Sequence, residues 1–75
     1  MERISGPIYG IYVVSYACEM GELGNEYVGY TKLCEAPPDD FWHAAGSITH
    51  GDTRFRSASQ AMDNSEDLAL RLLRN

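Results

Sequence analysis

The segment Ile8–Cys18, IYGIYVVSYAC, alternates like a β-strand, yet both of its faces are apolar or aromatic. At a period of two, Tyr9, Ile11, Val13 and Ala17 share one face, and Ile8, Tyr12, Val14, Tyr16 and Cys18 share the other. A strand with one wetted face carries polar residues at every second position. This one does not, so any fold that accepts it must supply cover on both sides.

A second strand follows. In EYVGYTKLCE, Val28, Tyr30, Lys32 and Cys34 lie on one face and Tyr27, Gly29, Thr31 and Leu33 on the other. Between the two strands, EMGELGN holds Gly21, Gly24 and Asn25, residues that accept positive φ, together with acids that keep a loop in water. The pair therefore reads as a hairpin. Met1–Gly6 reads as a frayed lead-in, with Gly6 and Pro7 punctuating the start of the first strand.

The C-terminal segment is helical in pattern. Ser57 is a good N-cap with Gln60 three positions on, and a helix from Ala58 to about Arg74 follows. Ala58, Ala61, Met62, Ser65, Leu68, Ala69, Leu72 and Leu73 fill one arc of its wheel, the stripe of a helix lying on a sheet. Small Ser65, in the middle of that arc, would let the helix come close to the strands. Asp67 and Arg71 stand four apart, as an ion pair requires. Leu70 falls outside the arc, where it would extend a contact surface.

Residues 38–46 read two ways. Pro38 at a first helical position, Asp39 and Asp40 in a first turn and Gly46 as a stop would give a short helix. The period-two set Trp42, Ala44, Gly46 and Ile48, a turn at His50 and Gly51, and a strand over Asp52–Arg56 with Phe55 inward would give further strands. The strand reading is adopted. The expected fold is α+β: one domain over residues 1–75, a small antiparallel meander of three to four strands with the C-terminal helix on one face.

One helix covers one face, which leaves the second face in need of cover. An apolar patch of about 400 Å² at roughly 25 cal/mol per Å² amounts to on the order of 10 kcal/mol, comparable with the cost of association, about 4–15 kcal/mol. The expectation is therefore a homodimer or a module bound to another protein, with Tyr12, Tyr16, Tyr30, Trp42 and Leu70 as contact residues. The alternative is that Phe41–Ile48 folds back over the face and leaves a monomer.

Chemistry is sparse. The spacings of Cys18, Cys34, His43 and His50 fit no zinc framework, and Cys34 with His43 and Asp39 or Asp40 is the one nucleophile-like combination, with no pocket expected behind it. No glycine pattern cradles phosphate. No catalytic residue, metal or cofactor is expected. The net charge is −5, with seven acids against Arg3 and Lys32 in residues 1–40. Stacking of single-stranded bases on the tyrosines would need a basic groove, so nucleic acid is disfavoured as a partner. No run approaches the roughly 20 apolar residues of a membrane span, which points to the cytoplasm. Pairing the strands puts Cys34 opposite about Gly10 and Cys18 beside the loop, on the order of 25 Å apart at about 3.3 Å per residue. Two free thiols are expected, as suits a reducing compartment.

Two resemblances accompany these readings. Gly29–Ala44, GYTKLCEAPPDDFWHA, resembles short proteobacterial proteins of unknown function in which G-Y-x-K-x-C leads through a proline turn to a tryptophan and an Ala-rich closing helix. It implies a strand at Trp42 and no activity. HGDTRFRSASQAM is similar to the end of HicB-type antitoxins, β-β-β-α proteins whose last strand often reads G-D-T before an Ala/Leu helix. On that resemblance Gly51, Asp52 and Thr53 would close the last strand, and the partner would be a toxin or nucleic acid.

Overall fold

A computed structural model describes residues 1–74. Four strands, β1 (Glu2–Ile8), β2 (Ile11–Met20), β3 (Glu26–Cys34) and β4 (Ile48–His50), pair in sequence order as an antiparallel sheet, and one helix, α1 (Ala58–Arg74), packs on it. The α+β meander with a single C-terminal helix is thus the fold of the chain.

The opening segment of the sequence is two strands rather than one. Tyr9 and Gly10, with φ of 51° and 81°, turn the chain between Ile8 and Ile11, which face each other. Two positive φ values in a two-residue connection are the geometry whose twist matches that of the flanking strands. Met1–Gly6 is accordingly no lead-in: Glu2 through Ser5 pair with Tyr16 back to Val13. The strand register breaks between Ser5 and Ile8, where Gly6 and Pro7 sit.

β2 and β3 form the centre of the sheet, paired without interruption from Tyr12 with Cys34 to Met20 with Glu26. Cys34 lies opposite Tyr12, two positions from the expected register but of the same parity, so the face assignments hold from Ile11 onward, whereas Ile8, opposite Ile11, belongs to the Val13 face and not to that of Tyr12. Both cysteines are free, at opposite ends of the hairpin.

α1 lies on the face of Val13, Ser15 and Ala17. Ala17 packs with Ala58, Ala61 and Met62, and Tyr27 and Phe55 close the edge of that cluster. Close approach depends on Gly29, where a Cβ would run into the Ala61 carbonyl and Ser65 Oγ. At this contact Ser65 and Thr31 are fully buried and their hydroxyls meet at 2.7 Å, while Thr31 and Ser15 meet at 3.2 Å. Ser15 also donates to Glu66, whose carboxylate accepts from the Arg3 guanidinium at 2.8 Å. A small-residue seam thus carries a fully satisfied polar chain from β3 to β1. The Ser57 hydroxyl caps α1 by accepting from the Gln60 N–H at 3.3 Å, and Arg71 pairs with Asp67 at 2.7 Å.

Leu72 and Leu73 depart from the expected arc. Both are exposed. The middle of the chain departs further: residues 38–46 are neither helix nor strand, and Trp42 lies in a turn. The fourth strand is limited to Ile48–His50, against Tyr30–Lys32. Instead of a strand over Asp52–Arg56 there is a single bridge, Phe55 with Tyr27. Between them Asn64 of α1 bonds the Asp52 backbone N–H and side chain, at 3.2 and 3.1 Å, and holds the chain away from β3.

Candidate interaction face

The second face of the sheet is closed largely by the chain itself. Phe41 is 2% exposed, and with Ala44 it packs on Val14 and Cys34, flanked by Tyr12, Tyr16 and Tyr30. Of the two solutions open to the sequence, the fold-back of the middle segment is the one adopted. The premise that a companion is required to shelter the tyrosines is thereby removed.

A buried cation secures the fold-back. Lys32 lies on β3 under the segment, and its ammonium donates to the carbonyls of Phe41 at 2.8 Å and Ala44 at 3.2 Å. The same nitrogen stands 4.6 Å from the centre of the Phe41 ring. These bonds satisfy the Ala44 carbonyl, which an irregular segment would otherwise bury unpaired, and add to the 3.4 Å bond that the Phe41 carbonyl accepts from the Ala44 N–H. The sequence reading placed Lys32 on this face without assigning it a role; a lone lysine in an otherwise apolar period-two set was the available signal. At the other side of the segment, the Phe41 N–H donates to Glu2 at 3.3 Å.

Phe41 brings its neighbour Trp42 to the surface. The indole is 65% exposed, yet it is held edge-on against Phe41 at 5.3 Å and against Tyr16 at 5.2 Å. Tyr16, Cys18, Tyr30, Phe41, Trp42 and Ile48 line a shallow apolar hollow of about 220 Å³. Ile48, also on this rim, is exposed. The structure thus gathers three of the five expected contact residues, Tyr16, Tyr30 and Trp42, around one depression. Tyr12 lies further along the same face against the Phe41 cluster. Leu70 is on the other side of the sheet, in a cleft with Ile8, Tyr9, Ile11, Val13 and Leu73.

A second hollow, of about 610 Å³, runs beneath the loop after β3 and is lined by Cys34, Asp39 and His43 among others. It corrects the expectation that no cavity stands behind these residues. Cys34 is buried under Phe41 and Ala44, and among the described residues no three potential ligands stand together to hold a metal ion. His43 Nδ1 faces the Asp40 carboxylate at 2.8 Å, and that hydrogen bond raises the His43 pKa above its ordinary value. The His43 backbone N–H, with the ring bond behind it, pulls the Asp40 pKa down. The pair fastens a turn.

Gly51, Asp52 and Thr53 are occupied in holding the fold. The Gly51 N–H donates to the Gly29 carbonyl at 2.7 Å, and Asp52 accepts from Asn64 and from Thr53. No helix among the described residues is long and apolar enough to cross a membrane. Comparison with protein-family models, with curated proteins and with solved structures finds no match to this chain.

Proposed function

We propose that this protein is a non-catalytic interaction module that docks another polypeptide on the hollow framed by Tyr16, Tyr30, Trp42 and Ile48. The observation that carries this reading is the state of Trp42: largely exposed, yet fixed by two edge-on aromatic contacts. An indole already ordered in the free protein gives up little freedom on binding, and rigid Trp and Tyr anchors dominate the energetics of interfaces. The polar groups nearest the segment, Lys32, Glu2 and Asp40, are engaged internally. The hollow therefore offers an apolar side chain a dry seat, and its acidic surroundings disfavour nucleic acid.

The test is comparative capture. Wild-type protein and Trp42→Ala are used as bait, with circular dichroism confirming that the variant is folded. A polypeptide retained by the first and lost with the second supports the reading. Identical capture by both, or binding of single-stranded oligonucleotide that weakens with salt, removes it.

A further inference from the structure

At the opposite end of the hairpin from its acidic loop, Tyr9 combines two features that nothing within the chain explains. It adopts φ 51° in a two-residue turn, a position where Asn, Asp and Gly predominate because a larger side chain crowds its own backbone. Its side chain is as exposed as in an extended peptide, at 102%, so no internal contact offsets that conformation. A bulky, fully exposed residue in such a place points to a contact outside the chain.

Beside it lies a cleft of about 460 Å³ whose lining, Ile8, Tyr9, Ile11, Val13, Leu70 and Leu73, is entirely apolar or aromatic. The molecule thus presents a projecting ring and a receptive cleft on one end. From these we infer that the Tyr9 end is a two-fold contact between two copies of this chain, the tyrosine of each seated in the cleft of the other. This is independent of the aromatic face around Trp42.

Three arguments select a second copy. A two-fold axis matches a patch with itself, and a patch carrying both knob and hole satisfies both at once. Charge permits contact here: no charged side chain occurs from Ile4 through Cys18, whereas Glu19, Glu22 and Glu26 lie at the far end of the hairpin. On α1, Asp67 and Arg71 are paired with each other. For a chain of net charge −5, a turn and cleft lined without charge are where two copies meet with the fewest like charges juxtaposed, Glu35 after the Tyr12–Cys34 pair being the acid at this end of the sheet. Area sets the strength: an exposed tyrosine offers on the order of 200 Å², and with half-exposed Ile8 and Leu73 the end offers about 400 Å² per copy, or about 800 Å² for the pair, the size of a weak, transient interface.

The experiment is sedimentation of the full chain from low micromolar to millimolar concentration. Wild type rises from 8.4 kDa toward twice that mass. Tyr9→Asn, which suits the turn and removes the ring, weakens association about tenfold or more without lowering the melting temperature measured where the protein is monomeric. Leu73→Gln, on the exposed side of the cleft, weakens it likewise, and Trp42→Ala leaves it unchanged. A mass of 8.4 kDa at every concentration overturns the inference, as do undiminished association of Tyr9→Asn and loss of association in Trp42→Ala.

Discussion

Replacing Phe41 by alanine removes the wedge that closes the second face. The ring is fully enclosed between Val14, Cys34 and the tyrosines, and it is the surface against which both Trp42 and the Lys32 ammonium rest. Truncating a buried phenylalanine costs about 3–5 kcal/mol, as lost transfer energy and a residual cavity. At roughly 0.05–0.15 kcal/mol per residue, a chain of this length holds about 4–11 kcal/mol in all. Phe41→Ala is therefore expected to leave the protein marginal or unfolded at 25 °C. Urea denaturation followed by circular dichroism gives the loss directly, and fluorescence of Trp42, the one tryptophan, reports release of the segment in the same samples. A loss under about 1 kcal/mol, well below the range for a buried ring, with an unchanged denaturant slope would refute the claim that this side chain closes the face.

Gly29→Ala places a methyl group against the Ala61 carbonyl, a backbone atom that cannot turn aside. Calorimetry should show a loss of about 3 kcal/mol, the upper end for an overpacked contact, and a near-neutral result would mean that α1 rides higher than described. Lys32→Met keeps the apolar stem but leaves the Ala44 carbonyl without its side-chain donor and the Phe41 carbonyl with only the long 3.4 Å bond from the Ala44 N–H. It should cost about 1–3 kcal/mol and expose residues 36–47 to limited proteolysis, whereas unchanged cleavage would deny Lys32 that role. Because the bond to Asp40 raises the His43 pKa above 6.5, the pair's contribution is fully present below that value and fades as pH rises through the elevated one. At the acid end it is lost as pH falls through the Asp40 pKa, which lies below 3.8. A proton NMR titration of the His43 ring should show Asp40→Asn drawing its midpoint down toward 6.5; an unmoved midpoint would dissolve the pair.

Most of the sheet and helix was legible because local signals agreed. The period-two faces of Tyr12–Cys18 and Tyr27–Cys34 and the arc from Ala58 to Ala69 each had one consistent reading, and Ser57 marked the start of α1. The turn at Tyr9–Gly10 was hidden because a tyrosine occupied a position that normally announces itself with Asn or Asp. The faces from Ile11 onward lie beyond the turn and survived, but the first strand was misplaced and Ile8, read on the Tyr12 face, stands opposite Ile11 on the Val13 face. Residues 38–46 were illegible for another reason: they adopt no regular structure and are held by Lys32 and Glu2 through contacts made at a distance in sequence. The hollow around Trp42 inherits that difficulty. Its tyrosines were readable from β2 and β3, but its depth depends on where Phe41 lands.

The central claim, that the chain closes its own second face and thereby sets Trp42 at the surface, is tested most directly by proton nuclear Overhauser effects in dilute solution. Under conditions where the mass is that of one chain, cross-peaks should connect the Phe41 ring with the Val14 methyl groups and the Trp42 indole with the Tyr16 ring. If those cross-peaks are missing and residues 36–47 show random-coil shifts while the sheet remains folded, the face is open and the account fails.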